Sequence, residues 1–282
     1  MTTTSKSVTP AVLLFFFALA GPGTQDDLLA ARLQPHTAKA WEQYLEWADA
    51  KVKAEVTEKT RFLIRDRLSA KDQAEYDRVL RSGRVYRAKM AGVVPAGRDF
   101  EVPDGKIHHW WGAVLVPNMK LAELLPLLQD YDQHAGRFAE VQKSRLVGRS
   151  GNTYRFTFRL KRVAYGVSAH YNTEQECTYF PLNPDRQWSR SIATRIAEIA
   201  EAGKPGEHDK PVGDDHGYLW RMVSWWRFDQ RPEGVIVECE SATLSRDVPF
   251  GLSWAIGRFI DNVAKDSLES VLLTVRAYGK DR

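Results

Sequence analysis

Residues 216–249, HGYLWRMVSWWRFDQRPEGVIVECESATLSRDVP, alternate in two runs around a turn, and that pattern decides the fold. In the first run Tyr218, Trp220, Met222, Ser224, Trp226 and Phe228 share one parity; in the second, Val235, Val237, Cys239, Ser241 and Thr243 do. A period of two belongs to a half-buried strand. Arg231-Pro232-Glu233-Gly234 between the runs has turn chemistry, proline setting φ and glycine tolerating a positive one. The stretch therefore predicts an antiparallel hairpin. A four-residue loop sets Arg227 opposite Glu238 and brings Glu240 near Trp225 and Arg227. A slip of one residue would move both carboxylates among Trp226 and Phe228, where unpaired charge is costly. Arg221, Arg227, Glu238 and Glu240 are thus expected as a charge ladder on the outer face, worth about 0.2–1 kcal/mol per pair. The alternative is that these charges line a site.

The same alternation extends upstream. Lys106–Val116 (KIHHWWGAVLV) reads as a first strand, ended by Pro117-Asn118, and Val141–Val147 as a second. Thr153–Arg162 places Tyr154, Phe156, Phe158 and Leu160 on one side and Arg155, Thr157, Arg159 and Lys161 on the other. Val167–Tyr179 puts Tyr171, Thr173, Gln175 and Cys177 on a common face. Gln187–Ile199 is expected to turn Trp188, Ile192, Thr194 and Ile196 inward. A helix or helix pair, rich in leucine from Leu121 to Leu128 and broken by Pro126, separates the first two strands. After Gly251, apolar residues from Leu252 through Ile256, Phe259, Ile260 and Val263 to Tyr278 form one stripe at helical spacing.

The N-terminal part is helical in pattern. Thr24 with Asp27 resembles a capping box, and Pro35 is expected to end a first short helix. Trp41, Tyr44, Leu45, Ala48, Val52 and Val56 then fall on one helical face, and a further helix runs from an N-cap at Ser69 to Gly83. Both parities of the first strand are apolar, and Leu219, Val223 and Trp225 lie on the outer parity of the hairpin. A solvated sheet face does not carry such a patch, so the helices of residues 24–82 are expected to cover it.

Residues 1–20 read as a signal peptide: Lys6, the short apolar run Ala11–Ala20, the small-x-small pattern Ala18-Leu19-Ala20, then Gly21-Pro22-Gly23. The run is too short to span a bilayer, so the expectation is an exported protein with no transmembrane span once the peptide is removed. Residues 21–105 are then a helical extension with a short hairpin or linker, and residues 106–282 the main domain.

Composition narrows the function. Of 282 residues 43% are apolar, enough for a sizeable core. Forty basic residues are offset by 36 acidic ones and scattered, which argues against a nucleic-acid partner. Cys177 and Cys239 provide neither a disulfide framework nor metal-ligand spacing and are read as buried thiols. His108 and His109 are adjacent, point to opposite faces of a strand and cannot chelate one ion. Asp214-Asp215-His216 lacks a spaced partner. No P-loop, dinucleotide fingerprint or G-x-S-x-G motif is present, and no metal or cofactor is expected.

Strand, helix pair, six antiparallel strands and a long last helix is the element order of the helix-grip fold. The sequence resembles the START-like (SRPBCC) superfamily through Ala113-Val-Leu-Val-Pro117, Leu127-Leu-Gln-Asp130-Tyr131-Asp132, and the entry to the last helix, Ser245-Arg246-Asp247-Val248-Pro249. The whole arrangement looks like a secreted bacterial subgroup with an N-terminal helical extension, for which the resemblance implies no established activity. The implied fold is α+β: a seven-stranded curved antiparallel sheet wrapped around the C-terminal helix. The implied site is a cavity between the two that holds a hydrophobic small molecule, a lipid or polyketide-like compound. Carried onto this chain, its wall is Tyr154, Phe156, Phe158, Tyr171, Trp220, Met222, Trp226 and Phe228, and its lid Ile256, Phe259, Ile260 and Val263. Thr173, Gln175, Thr194, Ser224 and Ser241 fall on the inward parity and would orient the ligand. Two other readings stay open. A cyclase- or hydrolase-like enzyme would draw its acid or base from Tyr171, Glu198, Arg190, His108 or His109. A non-catalytic envelope module would have aromatics filling the space.

Overall fold

A computed structural model describes residues 30–90, 100–164, 167–247 and 258–279. The expected signal peptide, the Thr24 cap and Ile256 lie outside the described residues, as does the Phe259 side chain. In chain order the principal helices are α1 (Pro35–Thr57), α2 (Ala70–Arg81), α3 (Leu121–Gln129) and α4 (Arg258–Ala277). The strands are β1 (Ala31–Arg32), β2 (Tyr86–Lys89), β3 (Gly105–Pro117), β4 (Val141–Ser150), β5 (Thr153–Ala164), β6 (Val167–Asn183), β7 (Arg186–Ala200), β8 (His208–Asp209), β9 (Asp214–Asp215), β10 (Arg221–Arg231) and β11 (Gly234–Arg246).

The hairpin β10–β11 has the expected register, with Arg227 opposite Glu238 and Trp225 opposite Glu240. Its turn is tighter than the four-residue loop: Arg231 pairs with Gly234, leaving Pro232 and Glu233 between the strands. Gly234 is required there, because a Cβ would lie 2.1 Å from the Val116 carbonyl oxygen of the neighbouring strand. Outward from the hairpin the antiparallel sheet runs β2-β3-β11-β10-β7-β6-β5-β4, with β8 pairing β7. The first long strand thus lies beside the last. Helix α4 packs Leu268, Leu272 and Val275 onto Val114, Val116 and Val237 of the inner face. This is the expected helix-grip arrangement.

The N-terminal helices cover the outer face. Helix α1 buries the six residues of its expected stripe, and they join Val223, Trp225, Ala242 and Leu244 in one cluster. Helix α2 adds Tyr76 and Leu80 against Trp111 and Ala113 of β3. Its cap is the expected one: Ser69 Oγ accepts the Asp72 N–H at 3.2 Å. Pro35 begins α1 instead of ending a preceding helix, since in the first turn its missing N–H has no intrahelical partner to lose. Pro126 is carried inside α3 and does not break it.

The covered face changes the meaning of the charge ladder. Arg227, Glu238 and Glu240 are 1%, 0% and 1% exposed, so they form a buried network. Arg227 Nη2 lies 2.5 Å from Glu55 of α1 and 3.5 Å from Glu240. Glu238 accepts the Ile64 N–H (2.6 Å), the Arg65 N–H (3.1 Å) and the Tyr76 hydroxyl (3.1 Å). Glu240 Oε1 lies 2.9 Å from both Lys51 Nζ and His109 Nε2, and Tyr44 OH meets His109 Nδ1 at 2.5 Å. Burial works to raise the Glu240 carboxyl, but His109, Lys51 and Arg227 together hold it well below the usual carboxylate range. For Glu238 burial wins, and its affinity for a proton is raised.

Two departures from strict alternation redirect side chains. A β-bulge falls at Thr194: Gln175 pairs with Ala193 while Glu174 pairs with Arg195. The extra residue flips the parity of β7. Ser189 and Ser191 therefore line the inner face, and Trp188 and Ile192 pack with the outer cluster, contrary to expectation; Ile196, beyond the bulge, is inward as expected. The second departure lies before β10. Asp215 Oδ1 accepts both the Gly217 N–H (2.6 Å) and the Trp220 indole N–H (3.0 Å). The resulting bend sends Trp220 into the outer cluster and turns Leu219 inward, the reverse of their expected places.

Candidate functional site

Between the sheet and α4 lies a cavity of about 280 Å³. Its origin can be followed strand by strand. Cys177 of β6 is opposite Ser191 of β7, Ser191 opposite Ser224 of β10, and Ser224 opposite Ser241 of β11. These cross-strand neighbours form a row of small side chains across the concave face, all on the cavity wall. Helix α4 answers with Ala264, Ser267 and Val271 on its lining face. Interiors close up wherever side chains can reach one another. Here neither partner is long enough, and the gap persists.

Aromatic groups flank this row. Tyr131, which follows α3, stacks on Phe156 with centroids 3.9 Å apart, and its hydroxyl is 3.1 Å from that of Tyr179. His134 lies against Tyr131, Phe138 and Phe158. On the β10 side Trp226 and Phe228 lie with nearly parallel rings, and Trp226 donates its indole N–H to Ser224 Oγ at 3.1 Å. At the β5 edge Arg162 pairs with Glu140 and donates to the Val263 carbonyl at 2.8 Å, while Ser267 donates to Glu140 at 3.0 Å. This charged group ties α4 to the sheet.

Of the residues expected at the site, the structure brings together Phe156, Phe158, Tyr171, Gln175, Met222, Ser224, Trp226, Phe228, Ser241, Ile260 and Val263. Four stand elsewhere. Tyr154 is buried in the core and donates its hydroxyl to Gln129 at 3.0 Å, its ring packed edge-on against Tyr179. Thr173 is buried but spent on the Phe158 carbonyl (3.3 Å) and on Gln175, whose amide donates to it at 3.0 Å. Thr194 is the exposed bulge residue, and Trp220 belongs to the outer cluster. Sequence reasoning missed Ser189, Ser191, Tyr131 and His134. The two serines were hidden by the bulge. The histidine sits three residues after the Tyr131 of the quoted helix-end segment, a position that no periodic pattern covers.

Burial keeps the interior wall neutral. It raises the phenols of Tyr131, Tyr171 and Tyr179 well above their ordinary value and pushes the thiols of Cys177 and Cys239 up as well. Both cysteines are free. Burial also lowers His134 to about 4. The acid-base candidates are mostly committed. Arg190 is on the outer side, paired with Asp49 at 2.7 Å, and His109 is held in the buried network. His108 lines the cavity, with Nε2 2.9 Å from Ser245 Oγ. Glu198 is tied to His216 (2.5 Å) and Lys210 (3.1 Å). Among the described residues no group of three or more His, Cys, Asp or Glu side chains is placed to hold a metal ion, and no helix is long and apolar enough to cross a membrane.

No family model matches the chain, and no curated protein matches it. Among solved structures it is similar to the STAR-related lipid transfer protein of Xanthomonas axonopodis, at 14% identity and a TM-score of 0.43, over 64% of this chain and 96% of that one. It is also similar to human STARD10, at 11% identity and a TM-score of 0.42, over 76% and 82% of the two chains. A third is the di-domain ARO/CYC StfQ from the steffimycin biosynthetic pathway, at 13% identity and a TM-score of 0.41, over 62% of this chain and 51% of that one.

Proposed function

We propose that this protein binds a hydrophobic small molecule, of lipid or polyketide-like character, between the sheet and α4. The observation that carries the reading is the cavity of about 280 Å³ whose walls are aromatic and aliphatic and whose floor is a row of serine and cysteine. Small-molecule sites combine an apolar concavity with a few placed polar groups. A ligand burying about 300 Å² of apolar surface at about 25 cal/mol per Å² gains roughly 8 kcal/mol, the scale of micromolar binding before association entropy is charged.

Binding is placed ahead of catalysis because, of the acid-base candidates, Arg190 and His109 face away from the cavity and Glu198 is tied to Lys210 and His216, which leaves His108 and Tyr171 on its wall. It is preferred over a filled interaction module because the cavity is present. Native mass spectrometry and thermal shift across a panel of lipids and polycyclic aromatics test the reading. A bound apolar species or a rise in midpoint is expected, and Ser224→Phe, which fills the floor, is expected to abolish both. Ligand-free protein with no shift across the panel would rule the reading out. We further propose that residues 1–20 direct export.

A further inference from the structure

Tyr171 of β6 stands in the cavity wall and is 5% exposed. Its hydroxyl is buried and has no hydrogen-bond partner among the described residues. Buried phenols ordinarily find one, because an unpaired O–H has lost its hydration with nothing in return. The polar groups that act on it are Glu198, Asp215 and Tyr218. Both carboxylates are already engaged. Glu198, opposite Tyr171 in the β6–β7 register, meets His216 Nδ1 at 2.5 Å and Lys210 Nζ at 3.1 Å, and accepts the His216 N–H at 3.1 Å. Asp215 Oδ1 holds the Gly217 N–H and the Trp220 indole N–H. The surroundings are otherwise apolar, with Ala169, Ile196 and Ile260 in the same cluster.

The chemistry of the missing partner follows from these neighbours. Burial keeps the phenol protonated, so it offers an O–H donor and lone pairs. The carboxylates near it make an added negative charge costly, and Lys210 is spent on Glu198. A neutral oxygen meets both conditions.

We propose that the Tyr171 end of the cavity is a head-group subsite that takes a hydroxyl or ketone oxygen of an otherwise apolar ligand and disfavours a carboxylate. This rests on the reading that the cavity binds an apolar molecule; it adds which polar group that molecule carries and where the group points.

The test is calorimetry on the full chain at pH 7 with naphthalene, 2-naphthol and 2-naphthoate, bicyclic probes suited to a cavity of about 280 Å³. In the wild type, 2-naphthol is expected to bind about 10-fold tighter than naphthalene, the scale of one buried hydrogen bond, and 2-naphthoate more weakly than naphthalene. Tyr171→Phe is expected to erase the advantage of 2-naphthol over naphthalene. Its thermal midpoint should not fall, because the hydroxyl it removes has no hydrogen-bond partner among the described residues. Equal wild-type affinity for naphthalene and 2-naphthol, or loss of both in the variant, overturns the subsite and leaves the cavity reading standing. Failure of every probe to bind overturns the cavity reading and the subsite with it.

Discussion

Replacing Arg227 by methionine separates a solvated charge ladder from the buried network. As a surface row each pair would be worth about 0.2–1 kcal/mol. In the folded protein Arg227 lies under α1, 2.5 Å from Glu55 and within 3.7 Å of Glu238. Removing it leaves the acidic partners unequally served. Glu240 keeps His109 and Lys51, and Glu55 keeps Lys51 at 3.5 Å. Glu238 keeps only its neutral donors, the Ile64 and Arg65 N–H groups and the Tyr76 hydroxyl. One carboxylate therefore stays buried without a cation, and breaking such a pair costs about 3–5 kcal/mol. Urea unfolding followed by tryptophan fluorescence measures this. The pH dependence supplies a second readout. Arg227 opposes the upward pull of burial on Glu238, so its loss raises that carboxyl further. A carboxyl raised in the folded state contributes most below its unfolded value, and the contribution is lost as pH rises through the folded one. The deficit of Arg227→Met should thus be smaller at pH 5 than at pH 8. A deficit below about 1 kcal/mol that does not change between those pH values would refute the buried-network account.

Three further outcomes are expected. His134 is lowered to about 4 by burial, so its contribution is intact above its unfolded value and is lost as pH falls through the folded one. Stability should drop by roughly 3 kcal/mol between pH 7 and pH 4 from this group, and His134→Phe should flatten that part of the urea-derived profile. Trp225→Ala should cost about 3–5 kcal/mol by the same assay, since it empties the centre of the α1–sheet contact and removes the indole bond to Asp49 at 2.7 Å. If residues 1–20 direct export, the exported protein should begin near residue 21 by N-terminal sequencing, and an unprocessed cytoplasmic product would count against it.

The sequence by itself determined the parts governed by local periodicity and by the cost of burying unpaired charge. The β10–β11 register follows from keeping Glu238 and Glu240 away from Trp226 and Phe228, and the structure has that register. The α1 stripe, the Ser69 cap and the need to cover Val223 and Trp225 come from spacing and apolarity alone, and each is found in place. Most of the cavity wall was legible for the same reason, since strand parity assigns Phe156, Phe158, Met222, Ser224, Trp226 and Ser241 to one side.

Only the tertiary structure decided the rest. The Thr194 bulge is set by pairing with Gln175 and Glu174 nearly twenty residues upstream, and it exchanges Trp188 and Ile192 for Ser189 and Ser191 at the cavity. Trp220 is turned outward by a hydrogen bond to Asp215, which alternation cannot register. Arg227 and its carboxylates change from a screened surface row to a buried network because α1 lies over them. The gap itself is floored by Cys177, Ser191, Ser224 and Ser241, small side chains that four different strands bring into one row facing α4. Periodicity tells which side a residue faces. Whether the space there is filled depends on what the non-local neighbours are long enough to reach.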